Sequence, residues 1–129
     1  MMGYRSLTTG CIAVLVAALV ACGSEGPATS SNGPSVGTSG VNLGTPTVTI
    51  VATDQLAFSP ASQNAHVGDI IQWTVPGTTS HTVTFADHSD LSDLSLLPGG
   101  TWEVKFTTAG TYPYTCTVHP GMNGTVVVS

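Results

Sequence analysis

Three side chains able to bind a soft metal crowd into the stretch "TYPYTCTVHPGMNGTVVVS" at the C-terminus: Cys116, His119 and Met122. A fourth, His81, opens the segment "HTVTF" directly after the polar turn "PGTTS". A thiolate, two imidazoles and a weak thioether make up the donor set of a blue-copper electron-transfer centre. Soft sulfur stabilises Cu(I), and imidazole suits both Cu(I) and Cu(II). Such a site needs little rearrangement when one electron comes or goes, provided rigid elements hold the ligands. The expected chemistry is therefore one-electron exchange at a single copper ion.

The elements available to hold these residues are strands. "TVTIVAT" (47–53), "DIIQWTV" (69–75), "HTVTF" (81–85), "TWEVKF" (101–106), "TYPYTC" (111–116) and "GTVVVS" (124–129) are rich in β-branched and aromatic residues. Turn signals such as Ser59-Pro60, Gly68-Asp69, Pro76-Gly77 and Pro98-Gly99-Gly100 separate them. This spacing predicts an all-β fold, a β-sandwich, over 46–129. Residues 86–100 read as a long loop with room for one helical turn. Alternation puts Tyr112, Tyr114 and Cys116 on one inward face, with Pro113 and Thr115 on the other. Pro113 has no N–H to give a ladder, so it belongs at a sheet edge or an unpaired position. Trp73 and Trp102 read as core or core-edge packing. His66 reads as an exposed strand-end residue, and His88 in "DHSD" as part of a solvated loop. A second metal at His88 with Asp87 and Asp90 is the less favoured reading.

Composition narrows the partners. The chain has 129 residues, a formal net charge of −5 and only two basic side chains, Arg5 and Lys105. Neutralising phosphate needs clustered Lys and Arg, which excludes nucleic acid. A partner guided by charge would be basic.

The N-terminus reads as a targeting segment. Arg5 precedes the apolar run "CIAVLVAALVA" (11–21), which is too short to span a bilayer and suits a secretory signal. Leu19-Val20-Ala21-Cys22, followed by Gly-Ser, resembles the lipobox of bacterial lipoproteins. That resemblance implies a signal peptide over 1–21, lipidation of Cys22 and a membrane anchor on the exported side of a cell envelope. Residues 22–45, rich in Gly, Ser, Thr and Pro, read as a flexible linker with a reach of roughly 26 Å. Cys11 then leaves with the signal and Cys22 carries lipid. Cys116 remains as a free thiol in an oxidising compartment, where an unpaired cysteine calls for a ligand of its own. A small domain without disulfides also benefits from a bound metal.

The motifs together resemble the small cupredoxins, the plastocyanin- and amicyanin-like blue-copper proteins. "TYPYTCTVHPGMNGTVVV" is similar to their C-terminal ligand loop, and the Cys-x-x-His-x-x-Met spacing resembles that of amicyanin. "VGDIIQWTV…SHTVTF" and "LLPGGTWEVKFTTAGTYPY" resemble the stretches that precede it. The resemblance covers about 46–129 and implies a Greek-key β-sandwich. It makes His81, Cys116 and His119 the equatorial copper ligands, Met122 the axial ligand and Tyr112 a corner tyrosine bonded to backbone. Two positions depart from plastocyanins: Thr115 replaces a tyrosine before the cysteine, and Thr82 replaces an asparagine after the first histidine. The Thr82 hydroxyl could supply the same loop hydrogen bonding.

The function implied is electron carriage between transient redox donor and acceptor proteins, by a monomer and not an enzyme. A copper module for storage or delivery is the alternative, less suited to one thiolate in a closed set. Docking is expected at His119 and Pro120 with Leu97, and Leu94 and Leu96 are expected at the same end. Asp87, Asp90 and Asp93 would steer a basic partner.

Overall fold

The computed structural model describes residues 35–129. The expected signal segment, Cys22 and the first part of the expected linker lie outside the described residues. Ten strands follow one another: β1 Gly37–Gly40, β2 Val48–Thr53, β3 Ala57–Ser59, β4 Ser62–Ala65, β5 Ile70–Thr74, β6 His81–Val83, β7 Asp93–Leu96, β8 Thr101–Phe106, β9 Gly110–Thr115 and β10 Asn123–Val128. One sheet has the order β1-β8-β5-β2-β3. Facing it are the ladder β4-β10-β9 and the pair β6-β7. These last two are joined by an isolated bridge between Thr84 and Thr115. The β-sandwich expected from the sequence is the fold observed.

All six predicted strands are present. β1, β3, β4 and β7 go beyond them. β3 and β4 are too short and too polar to show a period. β7 arises inside 86–100: a single 3-10 turn, Ser89–Leu91, is followed by a strand that pairs with β6. The linker reading needs correcting at its end, because β1 (Gly-Thr-Ser-Gly) is an edge strand antiparallel to β8. Its composition suits the place. A Cβ on Gly37 would lie 2.6 Å from the Lys105 carbonyl oxygen, so the two backbones could not approach as they do. The following segment closes over β8, where the Leu43 N–H donates to the buried Glu103 carboxylate at 2.6 Å and Gln72 Nε2 donates to it at 2.9 Å.

Alternation fills the core. Ile50, Ala52, Ile71, Trp73, Val104 and Phe106 come from the large sheet, and Tyr112, Tyr114, Val126 and Val128 from β9 and β10. Leu91 and Leu96 close one side. Trp73, Phe85 and Tyr114 meet edge-on or tilted with centroids 5.2 to 5.9 Å apart, a preferred aromatic geometry. Burial pushes the Tyr114 phenol up to about 12. The expected corner is formed, with the Tyr112 hydroxyl donating to the Thr108 carbonyl at 2.8 Å.

Pro113 sits where its missing N–H costs nothing. The Thr115 N–H points away from β10 toward Thr84. Successive N–H groups alternate in direction along a strand, so the Pro113 nitrogen faces the same way, clear of the β9–β10 ladder. The bridge to β6 cannot extend past it.

The registers define two ends. β5 finishes at Thr74 opposite Thr101, and β6 begins with His81 opposite Leu96. The turns at 54–56, 75–80, 97–100 and 116–122 therefore share one end of the sandwich. Gly124 packs under Tyr114, and a Cβ there would lie 2.2 Å from the ring. Gly124→Ala should destabilise the fold by about 1–3 kcal/mol through overpacking, read as a lower urea midpoint at unchanged slope.

Candidate metal centre

The site forms where β6 and β9 meet. At the bridge, Thr84 and Thr115 exchange N–H···O bonds of 3.0 Å in both directions. His81, three residues before Thr84, and Cys116, one after Thr115, are thereby brought to the same end. The Cys116 sulfur accepts the Thr82 N–H at 3.3 Å. It lies 3.3 Å from His119 Nδ1 and 3.9 Å from His81 Nδ1. The three donor atoms fall within 4.8 Å of one another, the one such grouping among the described residues. Cys116 and His81 are 2% and 1% exposed, and Met122 1%. His119 is half-buried, so it alone of the four reaches the surface.

Local chemistry shapes the ligand loop. The Met122 carbonyl accepts the Cys116 N–H at 2.9 Å and the Thr115 hydroxyl at 3.0 Å. The Met122 N–H returns to the His119 carbonyl at 3.2 Å. Gly121 makes the turn possible with φ +85, a left-handed conformation that favours glycine. Thr82 then ties the loop to β6: its Oγ1 accepts the Thr117 N–H at 2.8 Å and lies 3.1 Å from the Thr117 hydroxyl. The hydroxyl does supply the loop bonding expected of it. Thr117 itself carried no signal in the sequence, because its role exists only across the strand pair.

Electrostatics leave the site ready for a cation. Burial lowers the His81 pKa, the nearby His119 charge adds to this, and Asp54 and the Thr53 backbone oppose it. A neutral imidazole keeps a lone pair for a metal. Among the described residues Cys116 is the free cysteine, and it is buried. One buried sulfur flanked by two imidazole nitrogens, on a self-bonded loop, fits a copper ion by the chemistry of its donors.

Comparison with known proteins agrees. Residues 45–129 match the family described as copper binding proteins, plastocyanin/azurin family. The chain belongs to this family, the cupredoxins. This cupredoxin is 33% identical over 84 residues to amicyanin-alpha of Methylorubrum extorquens, covering 62% of this chain and 71% of that protein. It is 32% identical over 85 residues to plastocyanin of Scenedesmus fuscus, covering 57% and 87%. Among solved structures, a reduced Cu(I) form of an amicyanin variant at pH 4 superposes with TM-score 0.60 at 26% identity, covering 67% of this chain and 86% of the other. Copper is the cofactor.

The remaining expected residues are scattered. His66 is exposed, with its Nδ1 3.6 Å from Asp69. The His88 ring packs on Tyr112 at 5.5 Å, away from the ligands, and gathers no group with Asp87 and Asp90. Leu97 is exposed at the ligand end, but Leu96 turns inward opposite His81 and belongs to the core. Asp93 pairs with Val83, further down the strand, and Asp90 lies beside Ser35 and Ser39. Asp90 and Asp93 thus lie on a flank of the sandwich, away from the Cys116 end. Val118, 59% exposed beside His119, adds an apolar residue that the sequence reading passed over.

Thr82→Val keeps the shape and deletes the acceptor for the Thr117 N–H. The metal-free protein should lose about 1–2 kcal/mol, and Thr82→Ser should recover most of it. Urea unfolding of the three proteins checks this.

Proposed function

We propose that this cupredoxin is an exported, membrane-tethered one-electron carrier whose single copper is held by His81, Cys116, His119 and Met122. The observation that carries the reading is the convergence of two Nδ1 atoms on the buried Cys116 sulfur. Copper supplies exchange between its monovalent and divalent states. The chain supplies the rest. The Thr82 N–H stabilises charge on the sulfur, and strand-borne ligands resist rearrangement. Met122 is proposed as the weak fourth ligand, and its burial keeps water from that side. His119, half-buried, is the route by which electrons leave. The pattern Leu19-Val20-Ala21-Cys22 supports lipidation at Cys22 and, with it, a place on the outer side of a membrane. Among the described residues no pair of carboxylates recommends an enzyme, and the Cys116–His119 contact is read as part of the copper donor set.

The visible spectrum of the copper-loaded, oxidised protein tests the reading. Wild type should show an intense thiolate-to-copper band and a blue colour. Cys116→Ala should fold and stay colourless. Met122→Leu should stay blue with a raised reduction potential, since a lost thioether donor destabilises Cu(II). A weak d–d band in wild type would point to storage or delivery instead.

Partners are proposed to dock on the apolar end at His119, Pro120 and Leu97, with Val118 beside them. A patch of this kind suits brief encounters of small area. Asp87, Asp90 and Asp93 are proposed to steer a basic partner from the flank, an effect that salt screens. In stopped-flow transfer to a basic redox protein, Leu97→Glu should slow the reaction at every ionic strength. The Asp87/Asp90/Asp93 to Asn triple variant should slow it mainly at low salt. Unchanged rates in both, with an intact spectrum, would place docking elsewhere.

A further inference from the structure

The loop that delivers His81 is held by a carboxylate from a different turn. Residues 75–80, between β5 and β6, have no regular structure. The start is pinned: the Val75 N–H donates to the Gly100 carbonyl at 3.2 Å, and the Val75 carbonyl accepts the Gly99 N–H at 2.7 Å. The middle is pinned by Asp54, in the β2–β3 turn. Its Oδ1 accepts the N–H of Thr78 at 3.0 Å and of Thr79 at 2.9 Å. Its Oδ2 lies 3.2 Å from the Thr78 nitrogen and 3.5 Å from the Thr78 hydroxyl. Backbone donors on a carboxylate make charge-assisted bonds, about twice as strong as neutral ones. They also hold the Asp54 carboxyl below the usual range, the Thr79 N–H contributing most.

A second observation is steric. A Cβ on Gly77 would lie 2.3 Å from Asp54 Oδ1 and 2.5 Å from its carboxyl carbon. The loop is wrapped so closely that the Asp54 side chain occupies the space a residue 77 side chain would need. Glycine at 77 and aspartate at 54 therefore form one device, although they lie far apart in the chain. Thr79 is two residues from His81, and no turn of regular structure intervenes to absorb a displacement. Asp54 therefore fixes the backbone that leads directly into His81 at the start of β6.

We propose that Asp54 is a positioning residue for the metal site: its carboxylate organises the 76–80 loop before metal arrives and so sets where His81 stands relative to Cys116. The proposal rests on the reading of His81 as a ligand. It assigns Asp54 no contact with the metal. Asp54 is exposed, so its charge is screened by water, and the role lies in the geometry of its acceptor atoms.

The test uses the full-length protein, metal-free and copper-loaded, as wild type, Asp54→Ala, Asp54→Asn and Gly77→Ala. Amide hydrogen exchange at Thr78 and Thr79 is measured without metal. Copper release to a chelator and the visible band are measured with it. Asp54→Ala should speed exchange at both amides, release copper about tenfold faster, the scale seen when a ligand's supporting partner is removed, and shift the band. Gly77→Ala should do the same by pushing the loop off the carboxylate. Asp54→Asn retains an Oδ1 acceptor but loses the charge assistance, and should fall between wild type and Asp54→Ala. Faster exchange in Asp54→Ala with copper release and band unchanged would overturn the proposal, because the clamp would then not reach His81. Equal effects of Asn and Ala would overturn it too, since charge and not geometry would be at work. A wild type with no thiolate band at all would remove the ligand reading itself, an outcome visible before any variant is compared.

Discussion

One short meeting of strands carries the metal site. β6 and β9 touch through a single bridge, Thr84 to Thr115, and the ligands lie just beyond it on the side toward the loops. On the other side Pro113 withholds the N–H that would continue the pairing, and the strands part around a groove lined by Thr84, Ala86, Pro113 and Tyr114. A longer ladder is thus impossible, and the join is reinforced on the ligand side instead. There the Thr82 backbone reaches the Cys116 sulfur, and the Thr82 hydroxyl reaches the Thr117 backbone. Each bond is worth only about 1 kcal/mol net. Their value lies in making two strands and a loop move together.

Rigidity behind the join comes from packing. Cys116 continues the buried row of Tyr112 and Tyr114, so the sulfur is placed by the pleat of β9 and not by a free loop. Trp73 from the facing sheet and Phe85 from the segment after β6 pack against Tyr114. Dense aromatic cores deform reluctantly. Ligands set on their margin would keep their spacing when the charge at the site changes, as one-electron exchange requires. Three of the four expected donors are sealed from water and one, His119, is half-open.

Charge follows the same polarity. Lys105, the cation of the described domain, stands on β8 opposite Ile70, at the end away from the ligands. The chain neighbours of His119, Val118 and Pro120, are uncharged. The described chain also enters at the far end, where Gly37 pairs with Phe106.

Much of this was legible in the sequence. The meeting of His81, Cys116 and His119, the six strands, the inward row ending at Cys116, the corner at Tyr112 and the bridging part of Thr82 follow from residue type, period and spacing, with family resemblance for the last two. These are local properties, because a side chain's chemistry and the two-residue pleat do not depend on what lies across the fold. Other features were hidden for the converse reason. β1 is a strand only because β8 offers it a ladder, and Gly-Thr-Ser-Gly has no strand preference of its own. Leu96 and Leu97 are adjacent and alike, yet the register opposite His81 sends one into the core and leaves the other at the surface. Asp93 opens β7 opposite Val83 and Asp90 lies in the 3-10 turn before it, so strand register and not distance in the sequence sets how far they stand from His81. Asp54 and Gly77 have meaning only as a pair. Residue types and their two-residue alternation are enough to say which chemistry is available and which way most strands face. Tertiary structure decided which distant residues meet, since pairing register and steric fit between segments are set by the whole packed sandwich and by no one segment of it.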